Sequence, residues 1–247
     1  MSADNYHHRI AFDEMQRWQK EMIRKPGFIA KVTRSMQKRL NRWIPEKAHQ
    51  VITTAIRHAV QAMLKGSEWI GASPLENVDF YVREARVKEK IHFYKNTAAA
   101  EGAITGAGGI LLSLADFPLW LSLKMKMLTD IALLYGYDVK DFKERVYLLH
   151  IFQLSFSGRQ HRREVFALMA DWDRYAATLP DDSSAFDWRS FQQEYRDYID
   201  IAKLLQLVPG IGAFVGAYVN HNLTEKLGIT AMNAYRMRHF SKWVLKN

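Results

Sequence analysis

The chain has 247 residues and a mass of 28.7 kDa, which suits one large domain and is long enough to bury a sizeable core. Apolar residues make up 48% and charged residues 25% of the sequence, which excludes an intrinsically disordered chain. Cysteine is absent, so disulfide frameworks, cysteine-ligated zinc, iron–sulfur clusters and thiol catalysis are excluded as well.

The formal net charge of +9 is concentrated in the first part of the chain. Residues 1–100 carry 18 basic and 10 acidic side chains, whereas residues 101–247 carry 17 and 16. Ten of the basic residues lie between residues 17 and 47, against two acidic ones. This focused excess favours an anionic partner, either lipid headgroups or nucleic acid, although a solvated basic face gives the same pattern.

The N-terminal stretch from Met1 to Met15 is polar and mixed in charge. It lacks the continuous apolar stretch that a secretory signal requires. Together with the absence of cysteine, this favours a cytoplasmic location, so we expect any membrane contact to be peripheral and on the inner face of the cell membrane.

A basic amphipathic helix is predicted over residues 28–44, inside a basic N-terminal region of residues 1–47. Phe28 and Trp43 lie on its apolar arc. The opposite arc carries the basic side chains of Lys31, Arg34, Lys38 and Arg42. Such a helix can lie on an anionic membrane surface. It can also pack on its own core with a solvated basic face, or contact nucleic acid, although no known nucleic-acid-binding motif is present.

Helical periodicity extends over nearly the whole chain, with little of the alternation that is typical of strands. We therefore predict an all-α fold, with one domain over residues 1–247 and about nine helices. Local signals predict helix starts at Ser73, before Pro74, and at Asp138, and a stop followed by a new start at Gly228 and Thr230. Gly136 is predicted to end a helix.

The first of two apolar, glycine-rich segments spans residues 102–123 and contains a single charge, at Asp116. Its length is sufficient to cross a bilayer, but Asp116 and Pro118 argue against a simple span. We predict instead a helix from Ala98 to Leu114, a turn over residues 115–118 and a second helix through Tyr135. Asp116 then serves as an N-cap or as a buried polar anchor.

The second apolar segment spans residues 204–219 and is interrupted at Pro209. Both segments carry glycines four residues apart, a spacing that lets helix backbones approach closely. These pairs are Gly102 with Gly106 and Gly212 with Gly216. We predict that the two segments form the helical hairpins around which the domain is built. The hairpins either dip into a bilayer, line an apolar pocket or form the core of a soluble protein.

The order and spacing of motifs over residues 98–240 resemble those of the EcsC protein family. The first signature consists of Glu101, Gly102, Thr105, Gly106, Gly109, Asp116, Pro118, Tyr135 and Gly136. The second consists of Pro209, Gly212, Gly216 and Asn220, followed by Asn233-Ala234-Tyr235-Arg236 in the last helix. The resemblance implies a link to a bacterial locus that encodes an ABC transporter, and it implies no established biochemical activity.

Few residues suggest catalysis. Glu101 and Asp116 could act as general acid and base or bind a metal, which would make the protein a hydrolase or a metal enzyme. Buried polar residues more commonly cap turns and satisfy backbone groups. The Glu-x-x-His pairs Glu46–His49 and Glu89–His92 match the spacing of di-iron sites but lie on charged stretches. We therefore expect no catalytic residues, no cofactor and no metal.

The sequence thus favours a non-enzymatic protein that associates peripherally with an anionic membrane surface or lipid. The basic helix over residues 28–44 would attract the lipid headgroups, and the two hairpins would supply apolar contact. A transporter component is a candidate partner on the resemblance alone. The alternatives are a soluble module that binds a lipid or small molecule, and the enzyme built on Glu101 and Asp116.

Overall fold

Helices account for nearly all of the chain that the structure, a computed structural model, describes. It describes residues 3–24, 46–65, 73–107, 117–181, 185, 186, 191 and 213–244. These residues form the helices α1 (Ala3–Ile23), α2 (Glu46–Lys65), α3 (Phe80–Ala107), α4 (Phe117–Leu134), α5 (Phe142–Phe156), α6 (Arg159–Ala170), α7 (Trp172–Ala176) and α8 (Ala213–Val244). The all-α fold predicted from the helical periodicity is confirmed.

The two longest of these helices, α3 and α8, pack side by side and run antiparallel. At one end of the pair the Asn220 amide donates to the Ala98 carbonyl at 2.6 Å. Further along, Lys95 forms an ion pair with Glu225 at 2.8 Å. These contacts join residues more than 120 positions apart in the sequence, so the pair forms the long-range spine of the fold.

Gly228 allows α3 and α8 to approach closely. A Cβ atom at this position would lie 2.7 Å from Cγ1 of the buried Ile91, which is closer than two carbon atoms can pack. The prediction that a helix stops at Gly228 and a new one starts at Thr230 is therefore wrong, because α8 continues through both residues. The glycine serves interhelical packing, and the Thr230 hydroxyl donates to the Lys226 carbonyl within the helix.

The helix α5 is buried on every side. Lys143 is the one residue of its fifteen that is not buried. Helices α2, α4, α6 and α8 all pack against it. One polar contact ties it to α2, where Arg145 donates from Nε to the Leu64 carbonyl at 3.1 Å. An apolar helix without a polar face is stable only inside such a shell.

The end of α4 confirms the role predicted for Gly136. This residue has a φ of +85°, a left-handed conformation that glycine adopts without steric cost. Its N–H donates to the Leu133 carbonyl, and the Tyr137 N–H donates to the Ala132 carbonyl, both at 3.0 Å. These two bonds are the hydrogen-bond pattern of a Schellman motif, which satisfies carbonyls that the helix end would otherwise leave unpaired.

Two predicted helix starts are wrong. Residues 73–79 are not helical, because the Leu75 N–H donates to the Leu133 carbonyl and this segment packs across the end of α4. The helix begins only at Phe80. Asp138 lies in a turn, where its carboxylate accepts from the Lys140 N–H, and Asp141 is the residue that caps α5.

The helices on either side of residues 108–116 run antiparallel and pack together, as expected for the arms of the first hairpin. The Tyr94 hydroxyl of α3 donates to the Asp130 carboxylate of α4 at 2.8 Å. The first arm starts at Phe80 rather than at the predicted Ala98, because the upstream part of α3 packs on α8, where Glu84 accepts from Arg236.

The predicted turn over residues 115–118 is wrong at Phe117 and Pro118, which already belong to α4 because proline is tolerated in the first turn of a helix. Residues 108–116 lie outside the described residues.

Candidate functional site

Four helix termini lie at one end of the bundle, which we call the hairpin end. Helix α3 ends there, and α4 and α8 begin there, because both run antiparallel to α3. Helix α2 also begins there, since Gln50 near its start and Pro118 near the start of α4 line the same groove. The residues that precede α2, α4 and α8 along the chain belong to the predicted basic segment and to the two apolar segments.

Large apolar side chains are exposed at the hairpin end. Tyr218 in α8 is 70% exposed and Leu119 in α4 is 61% exposed, which are the two highest values among the exposed large hydrophobic residues that the structure describes. Val51 in α2 is also exposed. Large apolar side chains left in water at one end of a helical bundle are typical of an interaction surface.

A buried polar cluster lies between α3, α4 and α8 near this end, and we call it the Lys124 cluster. The Asn220 side-chain oxygen accepts from Trp120 Nε1 at 2.5 Å and from Lys124 Nζ at 3.1 Å. The Asn220 amide nitrogen donates to the Ala98 carbonyl at 2.6 Å. The Lys124 ammonium also lies 4.8 Å from the centre of the Trp120 ring, within the range of a cation–π contact.

Lys124 is fully buried, although it is a lysine. Burial disfavours the ammonium form and lowers the pKa of Lys124 to about 7, an effect that the negative charge of Glu101 partly opposes. A lysine with this pKa titrates between its charged and neutral forms near neutral pH. The cluster therefore holds a titratable amine inside an otherwise apolar interface.

The Lys124 cluster contains two residues of the family signatures, Glu101 and Asn220, together with two that the sequence reasoning missed. The missed residues, Trp120 and Lys124, lie four positions apart and therefore on one face of α4. That spacing was visible in the sequence, because Lys124 follows directly on the first apolar segment. Gly102 is also buried nearby on α3.

Other predicted site residues lie either in the described helices or outside the described residues. Thr105 and Gly106 lie in α3, Gly216 lies in α8, and Pro118 is exposed in the first turn of α4. Four signature residues fall outside the described residues, namely Gly109, Asp116, Pro209 and Gly212. The predicted basic helix also lies outside them, with its residues Phe28, Lys31, Arg34, Lys38, Arg42 and Trp43.

Tyr135 belongs to a second buried cluster, at the opposite end of α4. Its hydroxyl donates to Glu84, which also receives three hydrogen bonds from Arg236. Burial and the charge of Glu84 raise the pKa of the Tyr135 hydroxyl well above its ordinary value. The adjacent pair Arg238 and Glu144, joined at 2.7 Å, is equally enclosed by aromatic rings. Each charge is paired, which is typical of a structural network.

A half-open groove of about 450 Å³ separates α2 from α4. Three alanines of α2, Ala55, Ala59 and Ala62, line it, together with the buried Met63 and Met125. An apolar cavity between the two hairpins was expected to favour ligand binding. The groove lies instead between α2 and the second arm of the first hairpin.

The described residues contain no cluster of three His, Asp or Glu side chains that could hold a metal ion. The pair Glu89 and His92 lies on the exposed face of α3, where His92 contacts Asn96 at 2.9 Å. Among the described helices, none is both long enough and apolar enough to span a bilayer.

Comparison with known proteins identifies the family. The model of the EcsC protein family matches residues 9–240. The chain is 40% identical to Protein EcsC of Bacillus subtilis over 93% of its own length and 95% of that protein. It is also 31% identical to the uncharacterized protein YdbA of the same organism, over 76% of this chain and 68% of that one. No solved structure matches the chain. On these matches, the chain belongs to the EcsC protein family.

Proposed function

We propose that this protein is a peripheral membrane protein that contacts anionic lipid through its hairpin end. The observation that carries the proposal is the convergence at this end of four helix termini, with Leu119 and Tyr218 exposed beside them. The basic segment and both apolar segments of the sequence lead into the helices that begin there. In this proposal the basic segment supplies headgroup attraction and the hairpin end supplies apolar burial.

Both contributions are needed for useful affinity. Each Lys or Arg near an anionic leaflet contributes on the order of 1 kcal/mol, and salt screens this attraction. Full burial of a side chain such as Leu119 adds roughly 1.5–3 kcal/mol that salt does not screen. The sum supports reversible binding at the surface, without a membrane-spanning helix.

The proposal includes a cytoplasmic location on the inner face of the cell membrane and no enzymatic activity. The Lys124 cluster supports the second point, because its polar groups are directed at one another rather than toward an open cavity. A transporter component remains the proposed partner, and this part rests on the family resemblance alone.

Flotation of the purified protein with liposomes tests the proposal. We expect binding to vesicles that contain anionic lipid, and a reduced bound fraction at high salt. The combined change Arg34→Glu, Lys38→Glu and Arg42→Glu should abolish the salt-sensitive part. Absence of flotation with every vesicle at low salt would refute the proposal.

A matched pair of tyrosines tests the part played by the hairpin end. Tyr218→Ser removes an exposed ring at that end and should weaken vesicle affinity roughly tenfold, which corresponds to about 1.4 kcal/mol. Tyr81→Ser removes an exposed ring near the start of α3, at the opposite end, and should leave flotation unchanged. Equal effects of the two changes would place the lipid contact elsewhere.

The second candidate function is a module that takes up a lipid or small molecule. The observation that favours it is the groove between α2 and α4, whose volume falls within the range of ligand sites. The two functions are compatible, because the groove reaches the hairpin end at Gln50 and Pro118.

A further inference from the structure

The groove between α2 and α4 is a half-open trench lined mainly by apolar side chains. Ala55, Ala59 and Ala62 recur at three- and four-residue spacing on α2, so they lie along one helix face. Their small side chains leave an open channel where larger residues would fill the space between the helices. The floor of the groove is therefore continuous and apolar.

The length of the trench can be read from α2. On α2 its lining runs from Gln50 to Met63, thirteen residues at a rise of 1.5 Å per residue, or about 20 Å, and on α4 it runs from Pro118 to Met125, about 10 Å. One leaflet of a bilayer has a hydrocarbon thickness of about 15 Å, half of the usual 30 Å core. The trench is thus long enough for one extended acyl chain.

The lining residues of the trench differ in exposure along α2. Met63 and Met125, which are 1% and 3% exposed, are its most deeply buried lining residues. Methionine is flexible and polarisable, and it adapts well to an apolar guest of variable length. The outer end lies beside Gln50 and Pro118, which are both exposed at the hairpin end.

We infer that this groove binds the acyl chain of a fatty acid, with the methyl end against Met63 and Met125 and the carboxylate at the mouth beside Gln50. The polar side chains on the α2 rim are hydrogen-bonding groups, Gln50, Thr54 and His58, and no acidic side chain is among the described lining residues that would repel a carboxylate. The inference rests on the proposed function, because a fatty acid dissolved in the membrane reaches the mouth directly when the hairpin end lies on the bilayer.

The chemistry of the lining selects against other small ligands. A polar metabolite needs several convergent hydrogen-bond partners deep in its site, whereas the buried lining residues of this groove are alanine and methionine, and its polar lining residues, Ser122 included, are exposed. Binding should therefore depend on chain length. Each methylene withdrawn from water contributes about fourfold in affinity, so shortening the chain by four methylenes costs on the order of a hundredfold.

Displacement of a fluorescent fatty acid tests the inference. The probe is cis-parinaric acid, added to the full-length protein without vesicles and below its micelle concentration, with energy transfer from the seven tryptophans as the signal. We expect saturable binding of one probe per chain, and displacement by hexadecanoic acid at much lower concentration than by dodecanoic acid. Absence of saturable binding, or equal displacement by both acids, overturns the inference.

A groove-filling variant locates the site. Ala59→Phe places a ring in the channel and should lower probe affinity at least tenfold, while Ala85→Phe, the same change on the exposed face of α3, should not. Ala62→Leu is a milder filling variant that applies if Ala59→Phe lowers the melting temperature. Unchanged probe binding in folded filling variants refutes the groove as the site.

The same variants separate this inference from the proposed function. Ala59→Phe should float with anionic vesicles as the unmodified protein does, because its change lies inside the groove. Loss of probe binding with normal flotation in Ala59→Phe supports both the acyl-chain inference and the membrane proposal. If the unmodified protein binds the probe but never floats, the membrane proposal alone is overturned. If the unmodified protein floats but does not bind the probe, the acyl-chain inference alone is overturned.

Discussion

Replacing Lys124 by methionine should make the protein more stable at neutral pH, although it removes a hydrogen-bonded residue. The reason is the burial of the ammonium group, which lowers the pKa of Lys124 from 10.5 to about 7. A pKa difference of this size between the unfolded and folded states corresponds to about 5 kcal/mol of destabilisation at acid pH, and about 4 kcal/mol at pH 7. Methionine has a similar length and carries no charge.

The interactions that Lys124→Met removes are modest in comparison. The hydrogen bond to Asn220 contributes about 1 kcal/mol, and the cation–π interaction with the Trp120 ring contributes about as much. The Asn220 oxygen is not left unsatisfied, because it still accepts from Trp120 Nε1. Subtracting these two contributions from the gain leaves a net stabilisation of about 2 kcal/mol at pH 7.

The pH dependence gives the sharper signature. Because the pKa of Lys124 is lowered in the folded state, the unfolded chain binds more protons between pH 7 and 10.5. The unmodified protein therefore gains stability from this residue as the pH rises through that window, and loses it as the pH falls. The advantage of Lys124→Met should be largest below pH 7 and should vanish near pH 9, where the remaining gain of about 2 kcal/mol equals the two lost interactions.

Urea denaturation at pH 6, 7.5 and 9, followed by circular dichroism, measures this difference. Lys126→Met is the matched control, since Lys126 lies on the same helix but is exposed and paired with Asp130. Its removal should change the free energy of unfolding by less than about 1 kcal/mol at any of these pH values. A Lys124→Met protein that is less stable than the parent at pH 7, or whose difference does not vary with pH, would refute the reasoning.

Three further predictions concern other buried groups. Gly228→Ala should destabilise the protein by about 1–3 kcal/mol through its clash with Ile91, and a double-mutant cycle with Ile91→Ala should recover part of that loss. Burial lowers the pKa of His150 to about 4, so protonation in the unfolded state should weaken folding by up to about 3 kcal/mol between pH 6.5 and 4. His150→Phe should reduce the slope of urea-derived stability against pH in that window, and an unchanged slope would contradict the assignment. Arg236→Met leaves Glu84 buried without its cation and should cost about 3–5 kcal/mol in urea denaturation, part of which Glu84→Gln should restore; a destabilisation below about 1 kcal/mol would show that the pair is dispensable.

The sequence correctly predicted those parts of the fold that depend on residues close together in the chain. Gly136 ends α4 because a single residue must adopt positive φ there, and glycine does so most readily. The all-α fold followed from helical periodicity, which each segment carries by itself. The resemblance to the family named Glu101 in its first signature and Asn220 in its second, and in the structure both interact with Lys124.

The features that failed or were missed depend on partners far away in the sequence. Judged from its neighbours in the sequence, Gly228 resembles a helix stop. Its actual role depends on Ile91, 137 residues earlier, which lies against it. The Ser73-Pro74 signal is a good local start, but the Leu133 carbonyl competes for the backbone of this segment. Lys124 was missed because nothing local indicates that a lysine at the edge of an apolar run is fully enclosed. The basic helix over residues 28–44 remains a prediction.

The antiparallel pairing of α3 with α8 has a consequence for the order in which the protein can fold during synthesis. Glu84 is made 152 residues before Arg236, and Glu144 is made 94 residues before Arg238. Until α8 leaves the ribosome, both carboxylates lack their guanidinium partners and the face of α3 that packs against α8 is uncovered. The core therefore closes only after α8 has been synthesised, and a nascent chain or truncated product that stops before α8 should be a preferred client of chaperones and proteases.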